Sequence, residues 1–181
     1  MELTFCSSNK NKYLELSKCF AHLATINWAQ LDIPEIQGSL DEIVTYKADY
    51  AYKTLNKPVL VEDTALGFTA LNGLPGQYIK TFVSKLSLSD ITKLLDGFPD
   101  KTAVATTTIG FHDGTRVHTF SGSLKGKIVQ PRGQFSFGWD PIFVPEFSKS
   151  TFAEMTHEEK VRDSHRTRAI NAFKQYIYGM N

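Results

Sequence analysis

The chain has 181 residues, and 20 Lys plus Arg against 19 Asp plus Glu leave a formal charge of +1, which offers no bulk attraction for polyanions. With 41% apolar and 22% charged residues, the composition excludes intrinsic disorder, and the length suits one domain over residues 1–181. The two cysteines, Cys6 and Cys19, form no C-x-x-C pair, so a disulfide framework and a structural zinc site are both excluded and a reducing compartment is expected. The start, Met1 to Phe5, has neither a basic segment nor a long apolar one, and no apolar run approaches the ~20 residues that a membrane span needs. A soluble, cytoplasmic protein with no nucleic-acid or membrane partner is expected.

In chain order, Leu3 to Cys6 reads as a strand, and from Lys12 onward Tyr13, Leu14, Leu16, Cys19, Phe20 and Leu23 fall at helical spacing. Thr25 to Leu31 suggests a second strand. Ile33-Pro34-Glu35 breaks regular structure, and Ser39-Leu40-Asp41-Glu42 has the spacing of a capping box that opens a helix through Leu55. Val59-Leu60-Val61 predicts a short buried strand whose C-terminal end delivers Glu62 and Asp63. Leu71 to Gly76 reads as a loop, followed by short helices over Tyr78 to Leu86 and Ser89 to Leu95. Ala103 to Phe111, the Asp113-Gly114 turn signal and Arg116 to Val129 predict a hairpin. The chain ends in a helix striped by Ile170, Phe173 and Ile177 and closed by Gly179. Strands mixed with helices imply an α/β or α+β domain with a mixed sheet.

Four stretches carry polar chemistry. Ser7-Ser8-Asn9-Lys10-Asn11-Lys12 brings hydroxyls, amides, ammonium groups and open N–H groups to a helix start, which suits phosphate oxygens and equally suits plain N-capping. Glu62, Asp63 and Glu35 are carboxylates that could hold Mg²⁺ shared with substrate phosphates, with Asp63 the better ligand. Phe135 to Phe143 sets aromatics around Gly138 and Asp140, either to stack a flat base or to pack a bend filled by Trp139; Phe143 is assigned to the core. Glu158 to Arg168 alternates in charge, with Ser164 placed to cap the last helix. His165 and Arg166 then sit in its first turn, where the helix dipole disfavours cations and an anion or carbonyl partner is called for. The chain has no Walker A loop, G-x-S-x-G elbow, H-E-x-x-H helix or G-x-G-x-x-G turn.

Taken together, these stretches resemble the inosine triphosphate pyrophosphatase family, from about Leu3 to Tyr176. The resemblance is carried by Ser7 to Lys12 with Glu15, Ile33-Pro34-Glu35, Val61 to Thr64, Leu74 to Lys80, Phe137 to Pro141, and Glu159-Lys160 followed by Ser164-His165-Arg166. It implies a long, twisted mixed sheet with flanking helices, two lobes around a central cleft, and a homodimer. It further implies Mg²⁺-dependent hydrolysis of non-standard purine nucleoside triphosphates such as ITP, dITP and XTP to the monophosphate and pyrophosphate, a cleaning of the nucleotide pool. By resemblance Ser7, Ser8, Asn9, Lys10, Asn11 and Lys12 cradle the triphosphate, Lys47, Lys80 and Thr64 add substrate contacts, and Glu35 and Asp63 hold Mg²⁺. Asp63 or Glu62 orients the attacking water, and Phe137, Gly138, Trp139, Asp140, Lys160, His165 and Arg166 form the base pocket. Ser8 departs from the family pattern, where Gly is usual, so a positive φ there would be strained. Two other readings stand beside this one: a non-hydrolytic nucleotide or RNA-binding module, and a house-cleaning pyrophosphatase for modified pyrimidine or methylated nucleotides.

Overall fold

The computed structural model describes residues 2–20, 23–134 and 137–179. Phe135 and Ser136, at the start of the aromatic stretch, lie outside these described residues. The elements are β1 (Glu2–Cys6), α1 (Lys10–Cys19), β2 (Thr25–Ala29), α2 (Leu40–Leu55), β3 (Val59–Phe68), β4 (Pro75–Gly76), α3 (Ile79–Lys85) and α4 (Leu88–Lys93). They continue as β5 (Thr102–His112), β6 (Val117–Ile128), β7 (Phe143–Pro145), α5 (His157–Arg162) and α6 (His165–Gly179). One mixed sheet runs in the order β2-β1-β3-β5-β6-β7, with β4 paired to β3. β1 lies parallel to β2 and β3, whereas β4 and β7 run antiparallel to their neighbours. None of the described helices is long and apolar enough to cross a membrane.

The chain divides into two compact units, Met1–Asp63 with Thr107–Gly122 and Arg166–Asn181, and Thr64–Thr106 with Ser123–His165. In the first unit Leu16 of α1 and Phe20, which caps its C-terminal end, pack with Ile170, Phe173 and Ile177 of α6, the stripe that helical spacing predicts. A neighbouring cluster sets Val44, Ala48 and Ala51 of α2 on Val59 and Val61 of β3. In the second unit Ile91, Leu95, Leu124, Phe143 and Phe152 form the core, and the assignment of Phe143 to packing holds.

Local chemistry sets the boundaries. Ser39 and Glu42 form the predicted capping box, and α2 ends at Asn56 with a φ of 50°. α1 starts at Lys10, two residues earlier than the apolar spacing suggests, because the Asn9 side chain accepts from the N–H groups of Asn11 and Lys12. The hairpin closes where Asp113 N–H donates to Arg116 O at 3.1 Å. Gly126 lets β7 approach β6, since a Cβ there would stand 2.4 Å from Val144 O.

Three expectations are corrected. β3 does not end at Val61 but continues to Phe68, so Glu62 and Asp63 lie inside a strand rather than at its end. The physical reason is that distant cations neutralise carboxylates which, read locally, end a strand. Leu71–Gly76 is not plain loop: a 3₁₀ turn over Thr69–Leu71 folds Pro75 and Gly76 back onto Gly67 and Leu66. The aromatic stretch is partly regular, with a 3₁₀ turn over Asp140–Ile142 leading into β7.

Candidate active site

Strand β3 places Glu62 against the first turn of α6. Arg166 Nε donates to both Glu62 oxygens at 3.2 and 2.9 Å, and Nη2 donates to Oε1 at 3.0 Å. Arg166 Nη1 also donates to Glu15 on α1, and Lys12 Nζ lies 3.3 Å from Glu62 Oε1. The cluster is buried, with Glu62 4% and Arg166 2% exposed. Arg166, Glu62 and Glu15 thus share one buried site, where each needs the others to offset its desolvation, and the half-buried Lys12 adds a second cation beside Glu62. Burial pushes the Glu62 carboxyl up, but the charges of Arg166 and Lys12 outweigh it and hold the group below its ordinary value. The anion that the start of α6 calls for is supplied by the protein itself.

Asp63, the next residue, turns the other way along the strand, where Lys47 of α2 donates to its Oδ1 at 3.1 Å. Its side chain keeps 18% exposure, against 0% for Glu62, so the two adjacent carboxylates differ in access. Thr64 follows, half-buried, on the same strand, and Glu35 is exposed in the irregular stretch before α2. Among the described residues no three His, Cys, Asp or Glu side chains gather into a site for a metal ion.

The turn before α1 is tightly organised. Asn9 Oδ1 accepts from Asn11 and Lys12 N–H at 3.0 and 3.4 Å, while Asn9 N–H donates to Ser7 Oγ at 3.1 Å. Ser8, Lys10 and Asn11 are exposed. Asn56 and Asn72 are the non-glycine residues with positive φ among those described, so Ser8 sits in ordinary backbone space and its departure from Gly brings no strain.

The second unit gathers the other predicted residues. Lys160 Nζ donates to Asp140 Oδ2 at 2.5 Å, both side chains being under 9% exposed. The same ammonium lies 5.3 Å from the ring centroids of Phe137 and Phe152. Trp139 is buried and packs edge-on to Phe143 at 5.5 Å, with the His165 ring 5.2 Å away. Gly138 has a φ of +56°, a conformation that makes the sharp bend between Phe137 and Trp139 inexpensive. Lys80 is exposed in the first turn of α3.

The structure therefore joins Lys12, Glu62 and Arg166 in one cluster, Lys47 with Asp63 in a second, and Trp139, Asp140, Lys160, His165 and Phe137 in a third. Sequence reasoning left Glu15 and Phe152 without roles. Glu15 was discoverable as an acid beside the buried Leu16 on the inward edge of α1. Phe152 carried no signal, because only tertiary packing brings it to Lys160.

The fold is thus a mixed α/β sheet with ion clusters assembled along one strand. The chain belongs to the Ham1 family, which it matches over residues 3–176. It is 46% identical over 179 residues to the inosine triphosphate pyrophosphatase of Aspergillus fumigatus, covering 98% of this chain and 95% of that one. It superimposes on the Staphylococcus aureus Ham1 protein with a TM-score of 0.85 at 28% identity, covering 100% of both chains. A nucleoside-triphosphatase / dITP/XTP pyrophosphatase from Mycobacterium abscessus aligns with a TM-score of 0.73 at 27% identity, over 96% of this chain and 98% of that one.

Proposed function

We propose that the protein is a Mg²⁺-dependent nucleoside triphosphate pyrophosphatase that hydrolyses ITP, dITP and XTP to the monophosphate and pyrophosphate. The observation that carries this reading is the division of labour between neighbouring carboxylates: Glu62 locked by Arg166 and Lys12, and Asp63 accessible beside Lys47. Membership of a family whose relatives bear pyrophosphatase names supports the substrate class.

The donor set suits a hard divalent cation. Glu62 has its oxygens taken by Arg166 and Lys12, whereas Asp63 and Glu35 are carboxylates with exposed surface, and would hold Mg²⁺. Two acidic ligands rather than three match an ion shared with substrate phosphates, to which it would supply charge neutralisation.

Asp63 orients the water whose oxygen bonds to the α-phosphorus and accepts its proton, as the bond from phosphorus to the leaving pyrophosphate oxygen breaks. Glu62, held ionised by two cations, positions Lys12 and the strand rather than taking a proton. Lys12, Lys47 and the N–H groups around Asn9 neutralise the charge growing on pyrophosphate. Phe137, a half-buried ring, stacks the base, while Trp139 is occupied in packing. Because the Arg166 guanidinium is engaged by Glu62 and Glu15, the donor to the 6-keto oxygen is assigned to Lys160 or a backbone N–H. A 6-amino group in ATP would meet that donor with a donor of its own.

The test is release of pyrophosphate or orthophosphate from ITP, XTP, GTP and ATP, with Mg²⁺ and with EDTA. Pyrophosphate from ITP and XTP, lost in EDTA, is expected. Orthophosphate as the first product, or no turnover by folded protein, would overturn the reading. A homodimer and a cytoplasmic location belong to the same proposal, and sedimentation velocity checks the first.

A further inference from the structure

Trp28, on β2, stands opposite Phe5 in the β1–β2 register, and its indole reaches past the end of β1. Its Nε1–H donates to the Ser7 carbonyl at 2.8 Å. Ser7 N–H donates to Ala29 O at 3.2 Å, and Ser7 Oγ accepts from Asn9 N–H at 3.1 Å. All three polar groups of Ser7 are therefore held, two of them by β2. The face of the same indole stacks on Tyr13 of α1, with centroids 5.4 Å apart and planes 12° from parallel. Tyr13 N–H in turn donates to Asn9 O at 3.4 Å, and its hydroxyl reaches Ile26 O at 3.5 Å. One side chain thus braces the turn over residues 7–12 at its entry and at its exit.

The planarity of the peptide unit gives this brace a consequence. Ser7 C=O and Ser8 N–H belong to one trans peptide and point in opposite directions, so fixing the carbonyl on Trp28 aims the Ser8 N–H away from β2. Neither Ser8 N–H nor Lys10 N–H has a hydrogen-bond partner among the described residues. Successive open N–H groups in a turn make an anion-binding concavity, and its worth depends on orientation set before the ligand arrives.

We propose that Trp28 is a positioning residue for the phosphate turn: its indole N–H orients the Ser7–Ser8 peptide, and its ring fixes Tyr13, so that the turn is ready for phosphate oxygens. This rests on the reading of residues 7–12 as the triphosphate cradle. A phenylalanine would stack on Tyr13 equally well, so the N–H is the part that packing does not explain.

Trp28→Phe keeps the ring and removes the donor, while Tyr13→Leu keeps the donor and removes the stack. The probes are inorganic pyrophosphate and IMP, bound by the full chain in calorimetry, with KM and kcat for ITP measured alongside. In W28F, pyrophosphate affinity should fall and KM should rise by about five- to tenfold, with IMP affinity unchanged and kcat moving less than KM. Y13L should weaken pyrophosphate by about two- to threefold. Wild-type pyrophosphate affinity in both variants, or an equal loss for pyrophosphate and IMP together with a lower melting temperature, would overturn the inference while wild-type turnover of ITP still upheld the pyrophosphatase reading. A wild-type protein that neither turns over ITP nor binds pyrophosphate would remove both. Should W28F fail to fold, Y13L alone decides by the same comparison of pyrophosphate with IMP.

Discussion

Arg166 and Lys160 are both buried cations facing carboxylates, yet they are held in different ways. Arg166 spreads a planar fork over Glu62 and reaches Glu15 with a further nitrogen, so its orientation is set by several bonds at once. Lys160 meets Asp140 through an ammonium on a flexible stem, and that ammonium also lies near the faces of Phe137 and Phe152. The first arrangement is a frame, rigid and self-neutralising. The second is a compact point charge on a flexible stem beside aromatic rings. Buried cations of equal charge can therefore be held through a planar fork in one place and through a compact ammonium in another.

The largest expected effect tests what the frame is for. If it exists to set Asp63, then Asp63→Asn should lower kcat by about a thousandfold or more while the thermal midpoint stays near that of the wild type. A variant that retains full activity would break the assignment. Next, Arg166→Met removes the guanidinium that two buried carboxylates share and should cost about 3–5 kcal/mol in urea unfolding. Lys160→Met removes a cation bonded to one carboxylate and should cost less, but it should lower kcat/KM for ITP relative to ATP by about tenfold. Equal stability losses with unchanged selectivity would erase the distinction between frame and recognition site.

The acid limb of stability sharpens the same contrast. Glu62 has its folded pKa lowered, so it contributes stability that is present above its unfolded value of about 4.3 and is lost as pH falls through the folded value. Glu62→Gln should flatten the pH dependence of the unfolding free energy below that point; an unchanged slope would show that the cluster is not tuned as described. The smallest effect is expected at Ser8, where Ser8→Gly relieves no strain because the backbone is not left-handed, and should be neutral or destabilise by less than about 1 kcal/mol. A gain in stability would contradict that geometry.

Much of this was legible in local sequence. The capping box at Ser39, the hairpin at Asp113-Gly114 and the stripe on α6 are patterns whose partners lie within a few residues, and each forms as read. The candidate residues were legible too, because acids, lysines and a helix-start arginine stand out where apolar residues are expected. Their partnerships were not. Glu62 and Arg166 are 104 residues apart, and nothing in either segment names the other.

The sequence by itself therefore determined the element types, the apolar faces and the stock of charged groups from which any site must be built. Tertiary structure alone decided that β3 runs on through its carboxylates, that Arg166 is engaged by Glu62 and Glu15, and that Trp28 braces the turn before α1. The reason is physical. Periodicity and capping are energies of neighbouring residues, whereas keeping a carboxylate ionised in a dry interior depends on cations that only long-range folding can bring within reach.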